Sequence, residues 1–431
     1  MNSNIEPNSL AVIGAGPIGL EAALYARVLG LDVQVFEAGQ ICDHVRQWEQ
    51  VQLFTPFQLN SSSLGLEAIR TQFPDHQFPD AAQLHSGQQW VDSYFQPLAQ
   101  TDLFSDRIHS GTRVLAVGRD FLTKPKFVGQ PERDDYQFRL LLENSDGQRS
   151  ETFDFVIDAS GTFGQPNSLG TGGIPVPGES DLVKQHLGQR IFQSLPQLDQ
   201  AQIADRTVLL IGAGYSAATN AVALSKLVSA SPQAKVIWLT RSKPGPTGPV
   251  KIIDNDSLPY RVELSRQANQ LAIENEQFEW IAGAIEEIAF EQDQFAVTLQ
   301  SAELESPDSD SPPQTIQCDL IVANTGYRGD FEMLSELQVH RCYATDGPIK
   351  FAASLMGQDS ADCMSQSSGG PEVLATTEPG FFVLGSKLYG RDNRFLFTLG
   401  LEQIRDVFKV ILQRDSLDLY QTQLPSGASP A

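Results

Sequence analysis

One strand–turn–helix–strand unit occurs twice in this chain, and each copy is followed by a hairpin and an apolar strand. That repetition predicts an α/β protein of two dinucleotide-binding domains, the second inserted in the first. The first copy is residues 10–37, LAVIGAGPIGLEAALYARVLGLDVQVFE, and the second begins TVLLIGAGYSAATNAVALSKLV at 207 and closes on KVIWLTR at 241. The segments downstream of the two copies also match. SGTRVLAVGRD, YQFRLLL and TFDFVIDASG come after the first, and WIAGAIEEIAFEQ, FAVTLQ and TIQCDLIVANTG after the second. A repeat of this depth implies two Rossmann-like, three-layer domains, each with a parallel sheet and an antiparallel hairpin. The expected boundaries are 1–165 with 320–431 for the first domain and 166–319 for the second.

Each element of the first copy has a physical job. LAVI suits a short buried parallel strand, and Gly14, Gly16 and Gly19 then fall in G-x-G-x-x-G spacing. The first glycine allows a tight turn, the second lets backbone N–H groups approach a pyrophosphate, and the third lets helix and strand pack closely. Pro17 and Ile18 open the helix, whose N-terminus favours the phosphate charge. Gly30 ends it. DVQVF is the second strand, and Glu37 at its end is placed to hold two ribose hydroxyls.

Composition sets the bounds. The chain has 431 residues and a formal charge of −23, which argues against a broad basic face for nucleic acid or an anionic membrane. No apolar run reaches the length of a membrane span, and the polar start MNSNIEPNS does not read as a signal peptide. Cys42, Cys318, Cys342 and Cys363 are scattered, with no C-x-x-C pair, which disfavours a disulfide scaffold, a metal site and a dithiol redox centre. A reducing cytoplasm is the expected compartment, and homodimer formation is compatible with the reading.

Between the repeated elements the chain is irregular. Residues 38–105 show no sustained period. A helix is expected at 86–100, with Pro97 favouring an early end. Trp48, Phe54 and Phe57 either line a flat aromatic ligand or are core under a loop. Residues 162–204, rich in Gly, Pro and Gln, read as a crossover between domains. The acidic, Pro/Ser-rich 302–314 reads as a mobile hairpin tip, and 342–378 has no assigned structure. GFFVLGSK (380–387) is a strand. Leu401, Ile404, Phe408 and Ile411 mark a helix over roughly 397–413. Its N-terminal end near Thr398–Gly400 is a candidate to face a bound cofactor ring. Cys363, isolated in a polar loop, is either a redox thiol or an ordinary cysteine.

The second copy differs where it matters. Gly212 and Gly214 fill the first two glycine positions, Tyr215 and Ser216 open the helix, and Ala217 stands at the third. Thr240 occupies the place of Glu37, and Arg241 follows it. The acid suited to a free 2′-hydroxyl is gone, and a guanidinium able to grip a 2′-phosphate has appeared. FAD is therefore expected at the first turn and NADPH, rather than NADH, at the second. Val114, Ser160, Gly161, Gly326, Gly385 and Ser386, on strands or at strand ends, complete the cofactor-binding candidates. No metal site and no catalytic side chain are assigned.

On GAGPIG with Glu37, DASG, GAGYSA, ANTGYR and FVLGS the chain resembles the two-dinucleotide-domain flavoproteins, which include thioredoxin-reductase-like oxidoreductases and flavin-containing monooxygenases. That resemblance implies FAD at the first motif and NAD(P)H at the second. The redox cysteine pair of the disulfide reductases is missing, and Gly385-Ser386 replaces their usual Gly-Asp. ANTGYR resembles the monooxygenase A-T-G-Y motif with Asn324 as an extra or displaced residue, while an intact F-x-G-x-x-x-H is not found. VRQWEQVQLFTPF, ASGTFGQPNSLGTGGIPVPGE and EPGFFVLGSKLYGRDNRFLFTLGLEQIRDV resemble more closely a bacterial group of flavin monooxygenases, some associated with arsenic-resistance clusters. This group implies NADPH- and oxygen-dependent oxidation of a small molecule through a flavin hydroperoxide. By family position Arg46, Trp48, Tyr389 and Arg391 would cover the flavin edge. The alternatives are a reductase or dehydrogenase serving an acceptor other than oxygen, and a non-catalytic FAD-binding redox sensor.

Overall fold

The structure is a computed structural model and describes residues 8–242, 247–301, 313–356 and 368–421. Cys363 and nearly all of the 302–314 insert lie outside the described residues. The chain forms two compact units, residues 1–165 with 328–431, and residues 166–327. The strand Leu320–Ala323, expected in the first domain, is instead paired in the second unit with Ile191–Phe192 and Thr207–Ile211. All four of its residues are buried, and a buried apolar strand must satisfy its backbone on both sides.

The first unit holds a five-stranded parallel sheet in the order Phe381–Val383, Phe155–Asp158, Ser9–Ile13, Asp32–Phe36, Ile108–His109. A separate antiparallel sheet is made of Arg113–Arg119, Phe138–Asn144 and Gly147–Phe153. TFDFVIDASG, expected as one strand, breaks at Asp154. The Asp154 carboxylate accepts bonds from the Ser9 N–H and hydroxyl at 2.8 and 2.9 Å, so the chain leaves one sheet and enters the other beside Ser9. The helix Pro17–Val28 begins at Gly16, ends before Gly30 at φ +83°, and stacks Tyr25 on Phe408 of the tail helix Phe397–Leu412.

In the insert, the hairpin Gln52–Pro56 with Leu84–Ser86 precedes a continuous helical stretch from Gly87 to Ala99. Pro97 does not end this stretch. Residues Val91–Phe95 form a π segment, and the His76 ring reaches the Ser93 carbonyl at 2.8 Å, four residues before the proline that has no N–H to offer it. Phe57 is 3% exposed and packs edge-on against Tyr94 and His85, which resolves it as core.

The second unit has one sheet in the order Ile191–Phe192, Leu320–Ala323, Thr207–Ile211, Lys235–Thr240, Phe278–Glu291, Gln294–Ser301, Gln314–Cys318. The first five strands run parallel and the last two antiparallel. Phe278–Glu291 joins both parts, with an irregularity between Ile285 and Glu287. In the first unit the equivalent strand is interrupted at Gly111, φ +65°, and the antiparallel strands separate into their own sheet. The segment expected as a bare crossover carries the helix Glu179–His186 and the edge strand Ile191–Phe192. Glu179 folds it locally by accepting from Leu169 N and Val176 N, both at 3.0 Å. Among the described residues no helix is long and apolar enough to cross a membrane.

Candidate cofactor sites

In the first unit the predicted residues gather at the carboxyl edge of the parallel sheet, where open α/β sheets bind ligands. Gly14 has φ +99°, donates to the Phe36 carbonyl at 2.8 Å, and has no room for a side chain, since a Cβ would lie 2.8 Å from the Ala159 oxygen. At Gly19 a Cβ would fall 1.9 Å from the Gly14 oxygen, so turn and helix are in contact there. Gly16 differs. A Cβ on it meets no atom within 4 Å, so the turn is open at the N-terminus of the helix. The Glu37 carboxylate accepts from Ala15 N and Gly39 N, both at 2.8 Å, and stays half-buried beside that turn. An open, donor-rich turn with an acid fixed next to it fits the pyrophosphate and ribose of an adenine dinucleotide.

The neighbouring strand ends supply Ser160, Gly161 and Gly385, the two glycines at φ +72° and +73°. Ser386 lies beside Gly161, whose added Cβ would be 3.9 Å from the Ser386 Oγ. Gly385 packs on Ile18 and donates to the Gln403 side-chain oxygen at 2.9 Å. A Cβ on Gly400 would lie 2.2 Å from Ile18 Cδ1, so the first turn of the tail helix touches the first turn of the glycine-turn helix. The Ser160 hydroxyl donates to Asp158 Oδ1 at 2.7 Å and accepts from Lys387 at 3.0 Å, which commits it within the protein.

Four candidates have other occupations. Arg46 spends its guanidinium on the Ile41 carbonyl and Gln96. Trp48 is half-buried against Gly87. Tyr389 is 1% exposed, edge-on to Phe351 and Phe395, and burial pushes its phenol up well beyond its usual range. It is core, not a cover for the flavin edge. Arg391 pairs with Asp346 at 2.7 Å. Val114 sits at 9% exposure next to a β-bulge in its strand.

The second unit repeats the backbone contacts of the turn. Gly212 has φ +124°, donates to the Leu239 carbonyl at 3.0 Å, and packs on the Asn324 oxygen, 2.4 Å from where a Cβ would lie. Asn324 N donates to Ile211 O at 2.8 Å, as Ala159 N does to Ile13 O at 2.9 Å. Asn324 is therefore the counterpart of Ala159, and Gly326 at φ +83° is the counterpart of Gly161. The Asn324 side chain has its own task, bonding Ser194 O and Asn220. Gly214 is open, Tyr215 is half-buried, Ser216 is exposed and Ala217 is buried at the third position. Thr240 is 3% exposed, with its hydroxyl donated to Ser242 O and accepting from Trp280, both at 2.9 Å. It offers nothing to a ribose. Arg241 beside it is exposed.

Sequence reasoning missed Glu21, Asp158, Lys387 and Gln403, all at 0% exposure. Glu21 carried a signal, an acid on the buried face of an otherwise apolar helix. Lys387 carried none, since a lysine after Gly-Ser reads as surface.

These sites and their sheet orders decide the comparison with known proteins. The profile of the pyridine nucleotide-disulphide oxidoreductase family matches residues 11–142. The bacillithiol disulfide reductase of Bacillus cereus superposes with a TM-score of 0.65 at 18% identity, over 95% of this chain and 100% of that one. The chain has the fold of the two-dinucleotide-domain flavoproteins. Within that fold it is also similar to the ornithine N-hydroxylase of Kutzneria sp. 744, with a TM-score of 0.58 at 13% identity over 95% and 100% of the two chains. That hydroxylase was solved with reduced FAD and NADP+. A flavin monooxygenase of Stenotrophomonas maltophilia shares this two-domain flavoprotein fold at a TM-score of 0.56 and 17% identity, over 95% and 99%. No curated protein sequence matches the chain.

Proposed function

We propose that this two-domain flavoprotein is an FAD-dependent, NADPH-using oxidoreductase that acts as a monooxygenase on a small molecule. The observation that carries the reading is the contrast between the two turns. Glu37 is fixed by two backbone N–H groups next to one open turn, while the other has a committed Thr240 and an exposed Arg241. In this reading the turn N–H groups at Gly16 and Gly214 hold pyrophosphates, Glu37 accepts from ribose hydroxyls, and Arg241 binds the 2′-phosphate of NADPH. FAD, when bound, supplies two-electron chemistry that accepts hydride from NADPH and passes electrons to oxygen. The chain's own residues supply binding and orientation.

Oxygen is favoured over a disulfide as acceptor because the sequence has no paired cysteines. Cys42, Cys318 and Cys342 are buried; burial pushes the thiols of Cys42 and Cys318 up, away from the reactive thiolate, while hydrogen bonds from the Thr345 side chain and the Ala344 and Thr345 backbone hold that of Cys342 below its usual range. The family profile at 11–142 supports a second reading, a reductase serving a non-oxygen acceptor.

The test is spectroscopic and then stoichiometric. The purified protein is expected to show a flavin absorption band that NADPH bleaches faster than NADH under nitrogen. Readmitted air should restore the band with uptake of oxygen. If NADPH is consumed only after a quinone or ferricyanide is added, with no oxygen uptake, the monooxygenase reading fails and the reductase reading stands. A band that NADPH does not bleach leaves the redox sensor.

A further inference from the structure

We propose that Lys387 is a positioning residue of the flavin site, holding the Ser160–Gly161 turn against the Gly385–Ser386 turn through a buried bond to Asp158. The proposal rests on the flavin reading above and assigns to that site a residue type that such an edge does not require for fold alone.

Asp158 is the last residue of a central strand. It lies in register with Ile13 on one side and Val383 on the other, the residues from which the Gly14 and Gly385 turns depart. Its Oδ1 accepts from the Ser160 N–H at 3.1 Å and the Ser160 hydroxyl at 2.7 Å, and its Oδ2 accepts from Lys387 Nζ at 2.6 Å. Lys387 Nζ also donates to the Ser160 Oγ at 3.0 Å, closing a triangle of three side chains. The ammonium lies 4.8 Å from the centre of the Phe331 ring, and its stem passes Gly329, where a Cβ would come 3.1 Å from Lys387 Cγ. One lysine thus touches the strand-end turn at 158–161, the turn that carries it, and the segment 329–331. Arg328 N donates to Gln165 O at 2.9 Å, so the outgoing and returning segments of this unit are tied together beside it.

Energetics argue that the pair serves geometry. Both side chains are 0% exposed. Burying two opposite charges costs about what their attraction returns, and an apolar pair of the same size stabilises a fold as well or better. What the ion pair adds is a specific link, because the buried ammonium reaches the Asp158 Oδ2 and the Ser160 Oγ at once. Ser160 is thereby locked, and Gly161 is held beside the Ser386 side chain at the sheet edge.

Two variants separate positioning from stability. Lys387→Met leaves Asp158 buried without its cation and is expected to lower the melting temperature of the apoprotein. Asp158→Asn/Lys387→Met removes both charges and is expected to recover most of that loss. In both variants the dissociation constant for FAD, measured by quenching of flavin fluorescence, should rise about tenfold or more, the weight of one charge-assisted hydrogen bond. The visible bands of the bound flavin should shift from those of the wild type. A double variant that regains both the melting temperature and the wild-type affinity and spectrum overturns the proposal, as does a Lys387→Met protein with unchanged affinity. A wild-type chain that takes up no FAD overturns the flavin reading and this proposal together, whereas uptake by the wild type with unaltered variants overturns this proposal alone.

Discussion

Tyr94 donates its phenolic proton to Glu21 across 2.5 Å, in the core behind the first glycine turn. The carboxyl is completely buried, and desolvation raises its pKa from 4.5 to about 7 against the opposing bonds from Tyr94, Ser62 and Tyr420. The folded chain therefore keeps a proton that the unfolded chain gives up. The stability linked to this group is full below the unfolded value and is lost as pH rises from about 4.5 to about 7. The loss is on the order of 3 kcal/mol across that window. Glu21→Gln keeps an acceptor for Tyr94 without a charge, so it should flatten the decline. Urea titrations of wild type and variant at the two ends of the window measure it. Parallel pH profiles would show that Glu21 does not titrate there.

The second and third glycines of the first turn should fail in different ways. Gly19→Ala puts a methyl 1.9 Å from a backbone oxygen that cannot move aside, so the fold itself should lose several kcal/mol, in the range of about 2–4. Gly16→Ala meets open space at an ordinary backbone angle of φ −77°. It should therefore leave the melting temperature of the apoprotein within a degree or two while blocking close approach of a pyrophosphate, with FAD lost on desalting. Equal losses of stability in the two variants would contradict this division of roles.

Both turns were legible in the sequence because the first glycine of each is demanded by a backbone contact that leaves no alternative. Gly14 against Ala159 and Gly212 against Asn324 are the same contact, and the repeat made each predict the other. The boundary at 320 was misplaced for a related reason. LIVANTG is the counterpart of FVIDASG, and its strand lies inside the sheet of its own unit, between Ile191–Phe192 and Thr207–Ile211, but which sheet a strand joins is not written in local pattern. The π segment before Pro97 was hidden because a proline's effect depends on whether another donor reaches the freed carbonyl, here His76. Arg46 and Tyr389 were placed by likeness, and their contacts with Gln96 and with Phe351 and Phe395 come from long-range packing.

Arg241 offers a direct test of donor choice. It is exposed beside a Thr240 whose hydroxyl is already committed, so its removal disturbs no buried contact among the described residues. Arg241→Ala should leave the melting temperature unchanged and raise the KM for NADPH by roughly 10- to 100-fold, the weight of a charge-assisted contact to phosphate. The KM for NADH should change less than about twofold. Equal changes for both nucleotides would remove Arg241 from the 2′-phosphate role.

A buried charge cluster surrounds Glu378 in the first unit. Glu378 is 0% exposed and accepts from Arg119 Nε at 2.8 Å, from Arg133 at 2.8 to 3.0 Å, and from Gln338 N at 2.6 Å. Two buried guanidiniums share this carboxylate. Arg119 is further satisfied by the Tyr136 and Pro379 carbonyls and stacks 3.8 Å from the centre of the Phe138 ring. Glu378→Gln keeps the shape but removes the carboxylate that the two guanidiniums share, leaving Asp134 as the anion that still acts on Arg119. It should cost about 3–5 kcal/mol by urea denaturation. Arg133→Met leaves a matched pair of Arg119 and Glu378 and should cost less than Glu378→Gln. Because none of these side chains reaches the carboxyl edge of the parallel sheet, FAD affinity of the folded fraction should stay within about twofold of wild type, the additivity expected for separate sites. An altered flavin spectrum in Glu378→Gln would mean that this cluster and the cofactor edge are coupled through the strand that starts at Phe381.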